Sequence, residues 1–197
     1  MIDQTVSHYR ILKKLGEGGM GEVYLAEDTS LERKVALKFL PAGLQTDPVA
    51  HKRFLREAKS AAAIEHPFIC NIKEVAQTDD GQDFIVMEYV QGQTLKDRLE
   101  QGKLPIKEAL QIGSEVAEAL QEAHSNGVIH RDLKPSNVLV TLADGEPVVK
   151  VIDFGVAKAT NQQLTEKTLF TEKGQLIGTP SYMSPEQAER TAQDIDT

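Results

Sequence analysis

The chain has 197 residues, 40% hydrophobic and 26% charged, which suits a globular protein with one domain or two small lobes around a cleft. Its 30 acidic against 22 basic residues give a formal net charge of −8, which argues against nucleic acid or an anionic membrane as the main partner but leaves room for a local phosphate site. A single cysteine, Cys70, excludes an internal disulfide. The N-terminus lacks the apolar core of a signal peptide, and no apolar run approaches the roughly 20 residues that span a bilayer, so the chain reads as cytoplasmic.

The first part alternates short strand-like runs with turns. Tyr9 to Leu15 and Glu22 to Ala26 are expected strands around the glycine-rich turn Gly16-Glu17-Gly18-Gly19-Met20-Gly21, and Lys34 to Leu40 is a third, ended by Pro41. Asp47-Pro48 supplies an N-cap acceptor and a first-turn proline for a helix in which Phe54, Ala58, Ala61 and Ala62 recur at helical spacing to about Glu65. Ile72 to Ala76 and Asp83 to Val90 predict two more strands joined by a turn at Asp79-Asp80-Gly81. After a joint at Gln91-Gly92 the pattern turns helical. Thr94 to Glu100 predicts a short helix. Ile106 to Ser125 predicts a long one, with Ala109, Ile112, Val116, Leu120 and Ala123 on one face. Val138 to Thr141 and Val148 to Ile152 predict a hairpin, and the stretch from Ala157 to Met183 is aperiodic and loop-like. A strand-rich half thus precedes a helix-rich half, with a ligand cleft expected between them.

Four short motifs carry chemistry. Gly16-x-Gly18-x-x-Gly21-x-Val23 reads equally as a hairpin turn or as a backbone cradle for phosphate; its position between two strands disfavours a dinucleotide fold. Lys38, in Val35-Ala36-Leu37-Lys38, is either a solvated strand lysine or a cation aimed into the cleft, where Glu57 on the next helix is an available carboxylate partner. His130-Arg131-Asp132-Leu133-Lys134-Pro135-Ser136-Asn137 occupies a loop between a helix and a strand. Its Asp and Asn, five apart, suit a proton acceptor and a metal ligand. Asp153-Phe154-Gly155 follows the last hairpin strand and offers a second oxygen ligand for Mg²⁺.

In this order the four motifs resemble the signature set of protein kinases, from about Tyr9 to about Glu189. Leu15-Gly16-Glu17-Gly18-Gly19-Met20-Gly21-Glu22-Val23-Tyr24 and Gly178-Thr179-Pro180-Ser181-Tyr182-Met183-Ser184-Pro185-Glu186 resemble bacterial (Hanks-type) Ser/Thr kinases in particular, and Lys134 points to Ser/Thr specificity. The resemblance implies an α+β, two-lobed kinase-like fold. Residues 1–90 would form an N-lobe with a five-stranded antiparallel sheet and one main helix, and residues 91–197 a partial, mainly helical C-lobe. ATP and Mg²⁺ are the implied cofactors, and Ser/Thr-bearing proteins the implied substrates.

By similarity, Leu15, Gly16, Gly18, Gly21 and Val23 cover the ATP phosphates and adenine edge. Lys38 binds the α- and β-phosphates and pairs with Glu57. Met87 is the gatekeeper, Glu88 and Val90 present backbone groups to adenine, and Val23, Ala36 and Leu139 sandwich its ring. Asp132 accepts the substrate proton, Lys134 steadies the γ-phosphate, and Asn137 and Asp153 hold Mg²⁺. Arg131 is the expected partner of a phosphate on the activation loop, with Thr171 and then Thr168 as the expected autophosphorylation sites and self-association as the route to them.

Two departures stand out. Ser184-Pro185-Glu186 replaces the family's Ala-Pro-Glu, and the sequence ends at Thr197, before the family's later helices. From this the expectation is an exposed apolar face on the Ile106 to Ser125 helix and weak activity for the chain as given, with a membrane anchor an option for a full-length form. The alternative to a catalytic domain is a nucleotide-binding or scaffolding module; against it, Lys38, Glu57, Asp132, Asn137 and Asp153 are all present.

Overall fold

A computed structural model describes residues 2–18, 21–41, 48–143, 145–154 and 182. The first sheet holds β1 (Thr5–Val6), β2 (Tyr9–Gly18), β3 (Gly21–Asp28), β4 (Arg33–Phe39), β5 (Ile72–Gln77) and β6 (Asp83–Glu88), in the order β1-β2-β3-β4-β6-β5 with every neighbouring pair antiparallel. The sequence predicts five of these strands; the sixth, β1, corrects that count. At two residues β1 is too short to carry a periodicity. It is turned back onto β2 by Ser7 in the left-handed region, φ 55°, so that Val6 lies opposite Tyr9.

Strand alternation gives the sheet two different faces. Val35, Leu37 and Phe39 of β4 join Tyr9, Ile11, Tyr24, Phe84 and Val86 on one face. Ala36 and Leu40 join Ile85 and Met87 on the other, where helix α1 (Pro48–Ala62) packs. Lys38 shares the parity of Ala36 and Leu40 and so belongs to the α1 side. Phe54, Ala58 and Ala61 form the buried stripe of α1, spaced four and three residues apart. The helix stops at Ala62, three residues before the expected end, as the chain tightens through an Ile64 N–H to Ala61 C=O bond of 3.2 Å.

The second part is built from β7 (Gln93–Thr94), α2 (Leu95–Glu100), α3 (Ile106–Ser125), β8 (Val138–Ala143) and β9 (Glu146–Val151), with strand order β7-β8-β9. Thr94 caps α2 with a reciprocal bond set: its Oγ1 accepts the Asp97 N–H at 3.0 Å, and the Asp97 carboxylate accepts the Thr94 N–H at 3.3 Å. Helix α3 buries Ile112, Glu115, Ala119 and Ala123. Glu115 is the unexpected member of that face. Its Oε2 accepts the Val149 N–H at 2.9 Å and its Oε1 accepts from Gln111 Nε2 at 3.0 Å, so a buried carboxylate pins β9 to the helix. Ala109, expected inside, is exposed, and Ile106 and Leu110 stand 80% and 70% exposed on the helix's opposite side. Among the described residues no helix is long and apolar enough to cross a membrane.

Two features join the parts. Residues 68–71 run from β9 to β6: Cys70 N–H donates to Val151 C=O at 2.9 Å and Val151 N–H to Phe68 C=O at 2.8 Å on β9, and Glu88 N–H at the end of β6 donates to Asn71 C=O at 3.0 Å. The connection from β6 to β7 crosses β8 so closely that a Cβ on Gly92 would stand 2.3 Å from the Val140 carbonyl oxygen. Gly92→Ala therefore forces the backbone apart. It is expected to cost at least about 2 kcal/mol, read as a lowered urea midpoint in equilibrium unfolding.

Candidate active site

The motif residues meet where the α1 face of the first sheet comes over the end of β9. Lys38 is 2% exposed as the next-to-last residue of β4, opposite Val23 on one side and Ile85 on the other. An ammonium so far from water needs a counter-charge. It finds one in Asp153, whose Oδ1 lies 2.7 Å from Lys38 Nζ. Asp153 follows β9 by two residues and adopts φ 66°, in the left-handed region. Arg131 does the same at φ 64°. Two non-glycine residues in that region store on the order of 1–3 kcal/mol each, a local strain that surrounding contacts must hold.

Those contacts centre on His130, which is 2% exposed. Its Nδ1 accepts the Asp132 N–H at 3.3 Å, so its Nε2 carries the hydrogen and donates to the Ile152 carbonyl at 2.9 Å; its ring meets Phe154 edge-on at 4.8 Å. His130 thus ties the loop before Asp132 to the segment that presents Asp153. A single turn of 3₁₀-helix, Pro135–Asn137, then brings Asn137 back. Its Nδ2 donates to the Asp132 backbone oxygen at 2.8 Å and to Asp132 Oδ2 at 3.0 Å, while Lys134 Nζ lies 2.7 Å from the same Oδ2. The Ile152 N–H donates to the Asn137 carbonyl at 3.0 Å, which places Asn137 and Asp153 on adjacent backbone.

The glycine-rich hairpin is formed by β2 and β3, with Gly16 opposite Val23 and Gly18 opposite Gly21. Its glycines differ in kind. A Cβ on Gly16 meets nothing within 4 Å, whereas one on Gly21, at φ 115°, would lie 1.9 Å from the Phe39 carbonyl oxygen. Gly21 is required by the protein's own strand crossing, a role that the motif alone does not reveal.

A family model described as "Protein kinase domain" matches residues 9–197. The chain is 43% identical over 197 residues to Serine/threonine-protein kinase pkn3 of Myxococcus xanthus, covering 98% of this chain and 36% of that protein. It is also 43% identical over 190 residues to PrkC of Bacillus subtilis, covering 95% and 28%. The crystal structure of the Mycobacterium tuberculosis PknI kinase domain superposes with a TM-score of 0.70 at 35% identity, covering 80% of this chain and 64% of that one. This chain belongs to the protein kinase family. It spans about a third of the curated relatives' length.

Within the kinase, Val23, Ala36, Met87 and Val90 come together in one apolar cluster on the α1 side. Leu139 sits in the second sheet opposite Lys150 and Thr94, and Leu15 is 41% exposed at the hairpin. The Glu88 carboxylate turns away to Lys150 Nζ at 2.7 Å. Cys70, beside Met87 in the same cluster, has its thiol pushed up to about 12 by burial, with the Glu88 and Asp153 carboxylates adding to the effect.

One expectation fails: Lys38 does not pair with Glu57. Lys38 is taken by Asp153, and Glu57 Oε1 instead lies 3.6 Å from Arg131 Nη1, while Glu57 Oε2 is buried without a hydrogen-bond partner. The physical reason is competition. Lys38 has one near carboxylate on the strand end beneath it, and Arg131, strained upward from the loop, offers the helix carboxylate a different cation. Thr168 and Thr171, and Gly178 to Glu186 apart from Tyr182, lie outside the described residues. A cavity of about 470 Å³ opens elsewhere, between α3 and the β8–β9 hairpin beside Gln111 and Pro147, and none of the motif residues lines it.

Burial holds the His130 imidazole below its usual range, outweighing the Ile152 bond and the nearby Asp153 and Asp132 charges. The unfolded chain then binds that proton more readily than the folded one. The contribution is complete above the ordinary histidine value of about 6.5 and is lost as pH falls below it. The urea midpoint should drop between about pH 7 and about pH 5, and the drop should be shallower in His130→Gln, as equilibrium unfolding at both pH values will show.

Proposed function

We propose that this kinase domain transfers the γ-phosphoryl group of ATP to Ser/Thr hydroxyls of protein substrates, as part of a signalling kinase controlled by its activation loop. The reading rests on one convergence: the Lys38–Asp153 pair and the Asp132–Lys134–Asn137 cluster are joined through the Ile152 N–H to Asn137 carbonyl bond. A cation, a proton acceptor and two hard oxygen donors thereby share one cleft. The names of the relatives, which are serine/threonine-protein kinases, support it.

The donor set fits the cofactor. Asp153 and Asn137 offer a carboxylate and a carboxamide oxygen, and Mg²⁺ commonly takes one or two such protein ligands together with phosphate oxygens and water. When bound, the ion would supply charge neutralisation at the phosphates. The remaining work belongs to side chains. Asp132 has both its contacts on Oδ2, which leaves Oδ1 to take the hydroxyl proton. Lys134, already at that carboxylate, is placed to steady the transferring group. Gly16 leaves open space for phosphate at the hairpin, and the cluster of Val23, Ala36, Met87 and Val90 offers an apolar seat for adenine. Positioning and electrostatics of this kind carry most of phosphoryl transfer.

The observed pairing is then a resting arrangement. Lys38 occupies the metal-ligand oxygen of Asp153, and Arg131 occupies Glu57. Catalysis requires an exchange in which Lys38 moves to nucleotide and Glu57, Asp153 is freed for metal, and Arg131 turns to a loop phosphate on Thr171 or Thr168. Self-association would deliver that phosphate.

Incorporation of labelled phosphate into a basic protein by the full-length enzyme tests the reading. Asp132→Asn should lower kcat by about 100-fold or more with an unchanged unfolding midpoint. Nucleotide binding with no Asp132-dependent transfer would instead mark a scaffolding module. Phosphopeptide mapping of the active enzyme should recover modified Thr171 or Thr168, and finding neither would remove the loop from the scheme.

A further inference from the structure

Helix α1 turns Phe54, Ala58 and Ala61 into the sheet. On the side of the helix away from them run Lys52, Arg56 and Lys59, spaced four and three residues apart and all exposed. Among the described residues none of these three has an ion-pair partner. His51 and Glu57, which stand close to Asp83 and Arg131, are half-buried and lie off this ridge. The outward ridge of α1 therefore carries charge of a single sign, in a chain whose formal net charge is −8.

Stability does not account for that pattern. Like charges three and four residues apart on a helix repel one another. The first turn of α1 holds no acidic residue, although the positive end of the helix dipole favours one there. A helix that had only to cover the sheet would mix signs along its outer face. This ridge is unfavourable within its own fold and becomes favourable against an anion brought from outside.

The kind of anion follows from the rest of the molecule. The apolar stripe of α1 is already spent on the sheet, so the helix cannot lay it into a bilayer. A net charge of −8 repels an extended polyanion such as duplex nucleic acid or an anionic membrane, either of which would face the whole molecule. A short acidic segment reaches the ridge alone. Successive turns of α1 bring Lys52 and Arg56 about 6 Å apart along the axis, and alternate side chains of an extended chain share a face about 7 Å apart.

We propose that the ridge of Lys52, Arg56 and Lys59 is a docking site for an acidic segment of a protein partner, with Asp or Glu at alternate positions of an extended chain meeting successive turns of α1. The inference goes beyond the phosphoryl-transfer reading and does not rest on it, since none of the three residues belongs to the motif cluster.

The test is fluorescence anisotropy of the full-length protein with a labelled peptide of alternating Glu and Ser, at about 0.15 M salt. The wild type should bind it and should not bind a peptide of alternating Gln and Ser. The combined variant Lys52→Gln, Arg56→Gln, Lys59→Gln should weaken binding at least about tenfold. An equal change of charge elsewhere, Lys96→Gln, Lys103→Gln, Lys107→Gln, should weaken it less than about twofold. No binding by the wild type, or equal losses in the two combined variants, overturns the proposal. Tighter binding of duplex DNA or phosphatidylserine vesicles than of the peptide, lost in the ridge variant, overturns the assignment to a protein partner. If the ridge variant does not fold, Arg56→Gln alone takes its place: a loss of about threefold supports the site, and unchanged binding overturns it.

Discussion

Burial of one ammonium organises this molecule. Lys38 sits near the end of a strand, and its neighbours on that face are Ala36 and Leu40, in a cluster of apolar side chains. A lysine there is unfavourable unless a carboxylate comes to it. The nearest one, Asp153, belongs to the other part of the chain, 115 residues away. Satisfying it requires β9 to end beneath β4, the backbone at Asp153 to take an unfavourable φ, and His130 to hold that turn from below. The catalytic cluster is assembled around the need to pair that charge.

The same logic explains why the site is a set of exchangeable pairs. Three cations, Lys38, Arg131 and Lys134, face three carboxylates, Asp153, Glu57 and Asp132. Each has a partner here, and none of the pairs is fully exposed. Moving any one leaves a charge to be met by something else, whether nucleotide, metal or a loop phosphate. Differential affinity of those ligands for the alternative pairing is what would shift the population.

Much of this was legible in the sequence, because the kinase motifs are local and their residue types are specific. The order of strands and helices and the α1 stripe of Phe54, Ala58 and Ala61 follow from short segments, and the motifs single out Lys38, Asp132, Asn137 and Asp153, which the fold brings near one another. What was not legible depends on partners distant in sequence. Which carboxylate Lys38 takes depends on Asp153 standing beside it and on Arg131 meeting Glu57, and nothing in the spacing of Glu57 reveals that. Glu115 looks like a solvated helix residue until β9 lies against it. Gly21 reads as a phosphate contact until the Phe39 carbonyl is seen where its Cβ would be. Strand β1 escaped because two residues make no pattern.

The seam between residues 68–71 and β9 has a mechanical meaning. Those bonds knit the chain just after α1 directly to β9, which ends two residues before Asp153, so the two segments form one continuous unit. Among the described residues, the glycine hairpin and β1 have no such backbone bond to the second part of the chain. Strain applied at the hairpin therefore passes through the β2–β3, β3–β4 and β4–β6 ladders before it reaches the seam.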